Sequence, residues 1–271
     1  MARRIHVPQL QVGEILLADG QAHHVRNVLR LGDGATVDVF DDAGASTTGT
    51  LSHRGRSGAA VRIGRIDNSA GAREFQWTVC SAVPKGERAD WMVEKLSELG
   101  TTAFIPLAAA RSVVLPEGRN KRERWMRIAT ESARQSRRTG VMRIEELADV
   151  DAVIRRIGIA TAPGGDAARA EQSQSALAEA GELAAPAMRR RGAWFLATQV
   201  PAMPIAQAAL AAASLDELTL FIGPEGGWTP QEISSFIDAG IQAVRLTRTI
   251  LRVETAAVVT AAVVATSRGG S

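Results

Sequence analysis

The stretch Leu218–Gly240, LTLFIGPEGGWTPQEISSFIDAG, decides the fold of the second half of the chain. Its first five residues are largely apolar, which predicts a buried strand. The glycine loop Gly223–Gly227 follows, and Thr229 to Glu232 then form a capping box with proline at the first helical position. The helix is expected to run to about Ala239. A strand that passes through a glycine loop into a helix is typical of an α/β domain.

The glycine loop is a candidate binding site. Open α/β sheets bind their ligands in loops at the carboxyl ends of parallel strands. The loop matches neither the phosphate-binding P-loop nor the GxGxxG dinucleotide motif, and Glu225 would repel a phosphate. A neutral or cationic ligand that approaches the backbone closely is therefore favoured. A tight structural turn explains the same spacing equally well.

A second loop follows in Ala243–Ala265, AVRLTRTILRVETAAVVTAAVVA. AVRL predicts a short strand, Thr247–Arg252 a loop, and Glu254 and Thr255 the start of a final helix. Two loops from neighbouring strands, each leading into a helix, could line one pocket.

The first seventy residues have a different pattern. Val37–Phe40 and Ala59–Ile66 alternate apolar and polar residues between turns rich in Gly and Asp, which predicts a small β-barrel. The segment His23–Leu31 interrupts the strands with a helical pattern. The polar run 67–72 is a plausible linker, so we expect two domains, residues 1–72 and 73–271.

The remainder of the second domain alternates strands with helices. Ala160–Gly192, rich in Ala and Gly, is interpreted as a variable, partly helical connection. An approximate apolar face is expected on the first helix, formed by Trp91, Val93, Leu96 and Leu99. The predicted elements are strands at Phe75–Val83, Phe104–Leu107 and Trp194–Thr198, and helices at Ala89–Gly100 and Lys121–Arg137.

Composition restricts the setting of the protein. The 271 residues carry a net charge of +3 and a single cysteine, Cys80, so no intramolecular disulfide can form and a reducing, cytoplasmic location is expected. The surrounding residues predict that Cys80 is buried. No apolar run reaches the roughly 20 residues that a membrane span requires. His23 and His24 are adjacent and diverge, so no metal site is expected there.

The positive charge is concentrated between Arg111 and Arg143. This segment has ten basic and three acidic residues, a net charge of +7, so the rest of the chain carries −4. A solvated helix face would normally mix signs, because like charges one turn apart repel each other. Arginine also matches the geometry of phosphate. The pattern favours contact with nucleic acid, through Arg134, Arg137 and Arg138 on one helix face and through Arg3, Arg4, Arg26 and Arg30 of the barrel.

Four motifs together resemble the RsmE family, the 16S ribosomal RNA uracil-N3 methyltransferases of the SPOUT class. GPEGGWTxxE followed by LxxxILRxETA is the most specific of them, and Lys85–Gly100, Arg124–Arg138 and His23–Arg30 resemble the first helix, the basic helix and the N-terminal barrel of the family. Thr247 stands where the family usually has glycine and Trp228 where it usually has phenylalanine. Ala160–Gly192 has no clear counterpart.

The resemblance implies an α/β fold with a small N-terminal PUA-like β-barrel and a C-terminal SPOUT domain that contains a deep trefoil knot. It also implies a homodimer that methylates uridine N3 of 16S rRNA within the assembled small subunit and that uses S-adenosylmethionine and no metal. N3 lies on the pairing edge of uracil, so the base must be unpaired or turned out of its helix.

The resemblance assigns the site residues as well. Arg252 is the candidate that polarises the uracil or orients the RNA, unless it pairs with Glu254 or Glu225 instead. Glu225 is expected to bind the cofactor or assist in removing the N3 proton. The residues expected to hold the cofactor are Thr198, Ile222, Gly223, Gly227, Leu246, Ile250, Leu251, Thr255 and Ala256.

Two other functions fit the same sequence. A non-catalytic RNA-binding or ribosome-assembly factor would have the same basic surface but would not bind S-adenosylmethionine. Another SPOUT methyltransferase would act on a different base, on a 2′-hydroxyl or on tRNA.

Overall fold

The computed structural model describes residues 3–66, 75–116, 118–138, 140–158 and 189–268. The predicted linker at 67–72, and with it the boundary between residues 72 and 73, lies outside the described residues. The predicted connection Ala160–Gly192 also lies outside them, up to residue 188.

The N-terminal residues form a five-stranded sheet with the order β1-β3-β4-β5-β2. β1 runs parallel to β3, and the other pairs are antiparallel. Alternate residues of the strands, such as Val37, Val39 and Val61, are buried in a core of their own. The strands are β1 (Arg4–His6), β2 (Gly13–Leu16), β3 (Thr36–Phe40), β4 (Ser46–Arg54) and β5 (Gly58–Ile63).

A helical segment joins β2 to β3. α1 (Asp19–His23) continues directly into one π-helical turn, His24–Val28. The segment therefore begins before the predicted position at His23 and ends before Leu31. Ala22 and Val25 face the N-terminal core, which holds the segment against the sheet.

The C-terminal residues form a parallel sheet, as expected for an α/β domain. Among the described residues its order is β11-β13-β10-β12-β6-β7-β8, and β9 also pairs with β7. Every strand pair in it is parallel. The strands are β6 (Gln76–Ser81), β7 (Ala103–Ala108), β8 (Arg143–Ile144), β9 (Ala148–Asp149), β10 (Arg191–Leu196), β11 (Met203–Pro204), β12 (Glu217–Ile222) and β13 (Gln242–Arg245).

Helices pack on both faces of this sheet, so most of its strand residues are buried. One face carries a cluster that includes Met92, Phe104 and Trp125, and the other carries Phe195 and Phe236. The helices are α2 (Glu87–Glu98), α3 (Arg119–Ser136), α4 (Val150–Ile157), α5 (Ile205–Ala211), α6 (Pro230–Asp238) and α7 (Val253–Arg268).

Two local predictions from the sequence are confirmed. The hydroxyl of Thr229 accepts a hydrogen bond from the Glu232 amide at 3.2 Å, and the Glu232 carboxylate accepts one from the Thr229 amide at 2.7 Å, which is the predicted capping box. Cys80 is fully buried, and its burial raises the pKa of the thiol, which therefore stays protonated at neutral pH.

The predicted apolar face of α2 is wrong at Trp91. The side chain of Trp91 is 45% exposed, whereas Ala89, Met92, Val93 and Leu96 are buried. These four residues form one stripe at spacings of three and four, and Trp91 lies outside that stripe.

Candidate active site

A cavity of about 280 Å³ lies where three adjacent strands of the parallel sheet end. β10 is the middle strand, with β12 on one side and β13 on the other. The carboxyl ends of parallel strands meet at the same edge, so the three loops that follow them converge. The wall consists of Leu196 to Gln199 at the end of β10, Ile222 to Trp228 at the end of β12, and, from the end of β13 through the last loop into the last helix, Arg245, Leu246, Thr247, Thr249, Ile250, Leu251, Val253 and Ala256.

The glycine loop is a tight turn. The amide of Gly227 donates to the carbonyl of Pro224 at 2.8 Å, and Gly227 has a φ of +71°, a conformation that favours glycine. A Cβ on Gly223 would lie 2.9 Å from the Trp228 ring. The protein's own packing therefore requires these glycines, in agreement with the structural alternative, although the loop also lines the cavity.

Trp228 joins two of the three loops. Its side chain is buried, and its indole N–H donates to the carbonyl of Leu196 at 2.7 Å. Its ring also meets Phe236 of α6 edge-on, with 4.9 Å between the ring centroids. Phenylalanine, the usual residue of the family here, could fill this space but could not donate the hydrogen bond.

The structure brings eight of the nine predicted cofactor residues to the cavity wall. They are Thr198, Ile222, Gly223, Gly227, Leu246, Ile250, Leu251 and Ala256. Thr255 requires a correction, because its side chain is exposed on α7 and is not part of the wall. One residue along the helix, Ala256 faces the cavity, since successive helical residues point about 100° apart.

The two predicted catalytic residues occupy different positions. Glu225 lines the cavity and is exposed at its rim. Arg252 is exposed and follows the wall residue Leu251, but it does not itself line the cavity. The alternative ion pair with Glu254 does not form, because the buried Glu254 carboxylate lies 3.2 Å from the Arg88 guanidinium.

Three of the arginines predicted to bind RNA make contacts within the protein. Arg4, Arg26 and Arg138 donate to backbone carbonyls of the protein itself. Such contacts fix the structure and leave fewer donors for phosphate.

Arg4 is the most enclosed of these three arginines. It is only 8% exposed, lies 4.0 Å above the ring of Phe40 and donates to the Arg138 carbonyl at 2.7 Å, which joins the N-terminal sheet to the end of α3. Burial also lowers the pKa of its guanidinium.

The other four predicted arginines are less constrained. Arg134 pairs with Glu131 at 2.6 Å and is mostly covered. Arg3, Arg30 and Arg137 are exposed. Arg30 and Arg137 are also the two non-glycine residues with positive φ, at +51° and +57°, in the part of the chain that the structure describes. A side chain in this conformation has a steric cost that glycine would not have.

Sequence reasoning missed several residues of the site. Gln199 and Arg245 line the cavity, and Arg111 reaches the glycine loop from the loop after β7. Within the described ranges, no cluster of three or more His, Cys, Asp or Glu side chains could hold a metal ion. No helix in those ranges is long and apolar enough to cross a membrane.

Family models match both parts of the chain. The RNA methyltransferase domain matches residues 72–265, and the RNA methyltransferase PUA domain matches residues 17–64. The chain is 30% identical to the ribosomal RNA small subunit methyltransferase E of Synechocystis sp., over 94% of this chain and 75% of the relative. It is 27% identical to the protein of the same name from Bacillus subtilis, over 87% of this chain and 83% of the relative.

Solved structures show the same fold. The ribosomal RNA small subunit methyltransferase E of Neisseria gonorrhoeae, crystallised with S-adenosylmethionine, matches with a TM-score of 0.74 and 24% identity over 99% of this chain and 98% of that chain. A putative methyltransferase of Legionella pneumophila, also bound to S-adenosylmethionine, matches with a TM-score of 0.75 and 21% identity over the same shares. The family model that covers most of the chain and the 30% identity to the Synechocystis relative show that the chain belongs to the RsmE family of ribosomal RNA small subunit methyltransferases.

Proposed function

We propose that this chain methylates N3 of a uridine in 16S rRNA, with S-adenosylmethionine as the methyl donor, in the cytoplasm. The observation that carries the proposal is the cavity at the ends of β10, β12 and β13, which collects eight residues that the family motifs assign to the cofactor. Its volume of about 280 Å³ is just below the range for small-molecule sites, roughly 300–1,000 Å³.

The lining of the cavity suits the proposed cofactor. Ile222, Leu246 and Leu251 provide apolar surface for an adenine ring, and the surrounding loops provide backbone groups for its polar edge. Glu225 provides a negative charge beside the cavity for the amino group or the sulfonium of the ligand. Bound S-adenosylmethionine supplies a methyl group on a positively charged sulfur, which is already a good leaving group.

The residues of the chain then have two tasks at the uracil. Arg252, exposed beside the wall, would place its guanidinium near a carbonyl oxygen that flanks N3 and stabilise the negative charge that develops there. Glu225 at the rim would accept the N3 proton or hold the cofactor. The walls of the cavity fix the position of the reacting groups, which contributes much of the acceleration in such reactions.

The N-terminal module and α3 would hold the RNA. Arg3, Arg30 and Arg137 are the candidates for phosphate contacts, because they are exposed and, unlike Arg4, Arg26 and Arg138, donate to no backbone carbonyl in the described structure. The match of residues 17–64 to a PUA domain of RNA methyltransferases supports this role.

The proposal includes three finer features of the fold. A trefoil knot in the C-terminal domain is supported by the strand order. β12 and β13 follow each other along the chain, yet they lie on opposite sides of the earlier strand β10. Closure of the N-terminal sheet into a PUA-like barrel is supported by its five short strands. A homodimer is supported by the exposed Trp91 and Val259 on the packed helices α2 and α7.

The decisive experiment uses small ribosomal subunits from a strain without the corresponding methyltransferase. We expect incubation with the purified protein and S-adenosylmethionine to produce 3-methyluridine, detected by mass spectrometry of nuclease fragments of the 16S rRNA. Free 16S rRNA is tested in parallel to identify the substrate form. Arg252→Ala should lower the turnover rate far more than the affinity for S-adenosylmethionine.

The other outcomes identify the alternatives. Methylation at another base, at a 2′-hydroxyl or of tRNA would contradict the uridine assignment and leave a SPOUT enzyme of different specificity. RNA binding without any affinity for S-adenosylmethionine in calorimetry would support a non-catalytic RNA-binding factor.

A further inference from the structure

The glycine loop of the cavity is tied to a distant part of the sheet by one arginine. Arg111 lies in the loop after β7, two strands away from β12, which corresponds to about 10 Å across the sheet. Its Nη1 donates to the carbonyl of Gly226 at 2.7 Å and lies 3.4 Å from the carbonyl of Trp228. A long side chain with several donors is suited to span this gap.

The absence of a side chain at Gly226 makes this contact possible. A Cβ there would lie 3.3 Å from Cβ and 3.4 Å from Cδ of Arg111, closer than most real contacts. The aliphatic part of Arg111 therefore lies directly across the glycine loop.

The Gly226–Gly227 peptide unit is held at both ends. Its carbonyl accepts from Arg111, and its N–H donates to the carbonyl of Pro224 at 2.8 Å. Two consecutive glycines allow many backbone conformations, so an untethered turn would sample several of them. Both glycines line the cavity, and their conformation therefore determines its shape.

A buried carboxylate sets the position of Arg111. Oε1 of Glu232 accepts from the amide of Ala110 at 2.8 Å, while its Oε2 accepts from the amide and hydroxyl of Thr229 at 2.7 and 2.9 Å. Glu232 is only 9% exposed and lies in α6, directly after the glycine loop. The same carboxylate thus anchors both the loop that carries Arg111 and the helix start that the glycine loop enters.

We propose that Arg111 is a positioning residue that pre-organises the glycine loop for the methyl donor. The inference rests on the proposed function, because it takes S-adenosylmethionine as the ligand of the cavity. A receptor that populates its binding conformation only part of the time has its affinity reduced by that fraction. Arg111 raises the fraction of molecules in which the glycine loop has the binding conformation, and it does so without contacting the reacting atoms.

The test compares Arg111→Ala, Arg111→Lys and a matched control, Arg122→Ala. Arg122 is also exposed and also donates to a backbone carbonyl, that of Ile144 at 2.9 Å, but Ile144, unlike Gly226, does not line the cavity. We expect calorimetry to show affinity for S-adenosylmethionine reduced about tenfold in Arg111→Ala, partly restored in Arg111→Lys and unchanged in Arg122→Ala. The melting temperatures of the unliganded Arg111 variants should stay close to that of the Arg122 variant.

Hydrogen exchange gives a second measurement that needs no ligand. In Arg111→Ala the amide of Gly227 should exchange faster than in the unmodified protein, whereas in Arg122→Ala its rate should not change. This measurement separates the two proposals. One distinguishing result is that the unmodified protein binds no S-adenosylmethionine while Gly227 still exchanges faster in Arg111→Ala. The proposed function would then fail, but the role of Arg111 in holding the glycine loop would be supported.

Two results would overturn the inference. One is an Arg111→Ala protein with unchanged affinity for S-adenosylmethionine and unchanged exchange at Gly227. The other is a loss of RNA affinity with a shallower salt dependence at unchanged cofactor affinity, which would make Arg111 a phosphate contact.

Discussion

The indole N–H of Trp228 donates to the carbonyl oxygen of Leu196 at 2.7 Å and thereby joins the glycine loop to the end of β10. Trp228→Phe keeps an aromatic ring against Gly223 and Phe236 but removes the donor. We expect the free energy of unfolding, measured in urea, to fall by about 1–2 kcal/mol, because the Leu196 carbonyl loses its partner.

Trp77→Phe is a matched control for this prediction. Trp77 is also buried, but its indole nitrogen has no hydrogen-bond partner. The substitution removes a similar volume and no hydrogen bond, so it should cost less than Trp228→Phe. Equal losses in the two variants would mean that the bond to Leu196 contributes nothing measurable.

Gly223 tests the packing of the same loop. In Gly223→Ala the new methyl group would lie 2.9 Å from Cε2 of Trp228, and the buried ring has little room to move. We expect a loss of about 1–3 kcal/mol of unfolding free energy, together with weaker binding of S-adenosylmethionine in calorimetry.

Gly32→Ala provides the comparison for Gly223→Ala. No atom lies within 4 Å of a Cβ built at Gly32, and its φ is not in the left-handed region. Its unfolding free energy should stay within about 0.5 kcal/mol of the unmodified value. A Gly223→Ala protein as stable as this control, with unchanged ligand affinity, would contradict the packing argument.

Features encoded by neighbouring residues could be predicted from the sequence. The capping box at Thr229 and the buried strand before Gly223 depend on local chemistry, and both were predicted correctly. The cavity wall could be predicted for a related reason. In a parallel sheet the ligand lies beside the strand ends, which identifies the loops that line the cavity, whereas the resemblance to the family supplied individual residues such as Ile222 and Leu246.

Contacts between distant segments could not be predicted in the same way. Arg111 is 115 residues from Gly226, and nothing near Arg111 in the sequence indicates its partner. The basic residues illustrate the same limit. Adjacent arginines such as Arg137 and Arg138 look alike in sequence, yet one is exposed and the other donates to carbonyls of another helix end.

Arg138 is expected to support stability and not RNA binding. Its guanidinium donates to the carbonyls of Ser97 at 2.9 Å and Thr101 at 2.8 Å, at the C-terminal end of α2. Arg138→Ala should lower the free energy of unfolding by about 1.5–3 kcal/mol, because charged donors make the stronger hydrogen bonds. The slope of log affinity for RNA against log salt, measured on the folded variant, should not change. A shallower salt slope for Arg138→Ala at unchanged stability would instead show that Arg138 contacts RNA.

Arg137 is expected to behave in the opposite way. It ends α3 with a φ of +57°, a position at which glycine is the favoured residue. Arg137→Gly should therefore raise the free energy of unfolding by about 0.5–1 kcal/mol. The same substitution should weaken RNA binding and lower the salt slope by roughly 0.7–0.9, the change expected for one lost phosphate contact.

Arg137→Lys separates charge from backbone conformation at this position. Lysine keeps the positive charge and the steric cost of positive φ, so RNA affinity should be largely retained and stability should not rise. The salt slope is measured by fluorescence anisotropy with a fragment of 16S rRNA, and stability by urea unfolding. If Arg137→Gly were more stable and bound RNA with an unchanged slope, the arginine would have no role at the phosphate backbone. The strained conformation would then have no functional explanation, because Arg137 would destabilise the end of α3 without any gain in RNA binding.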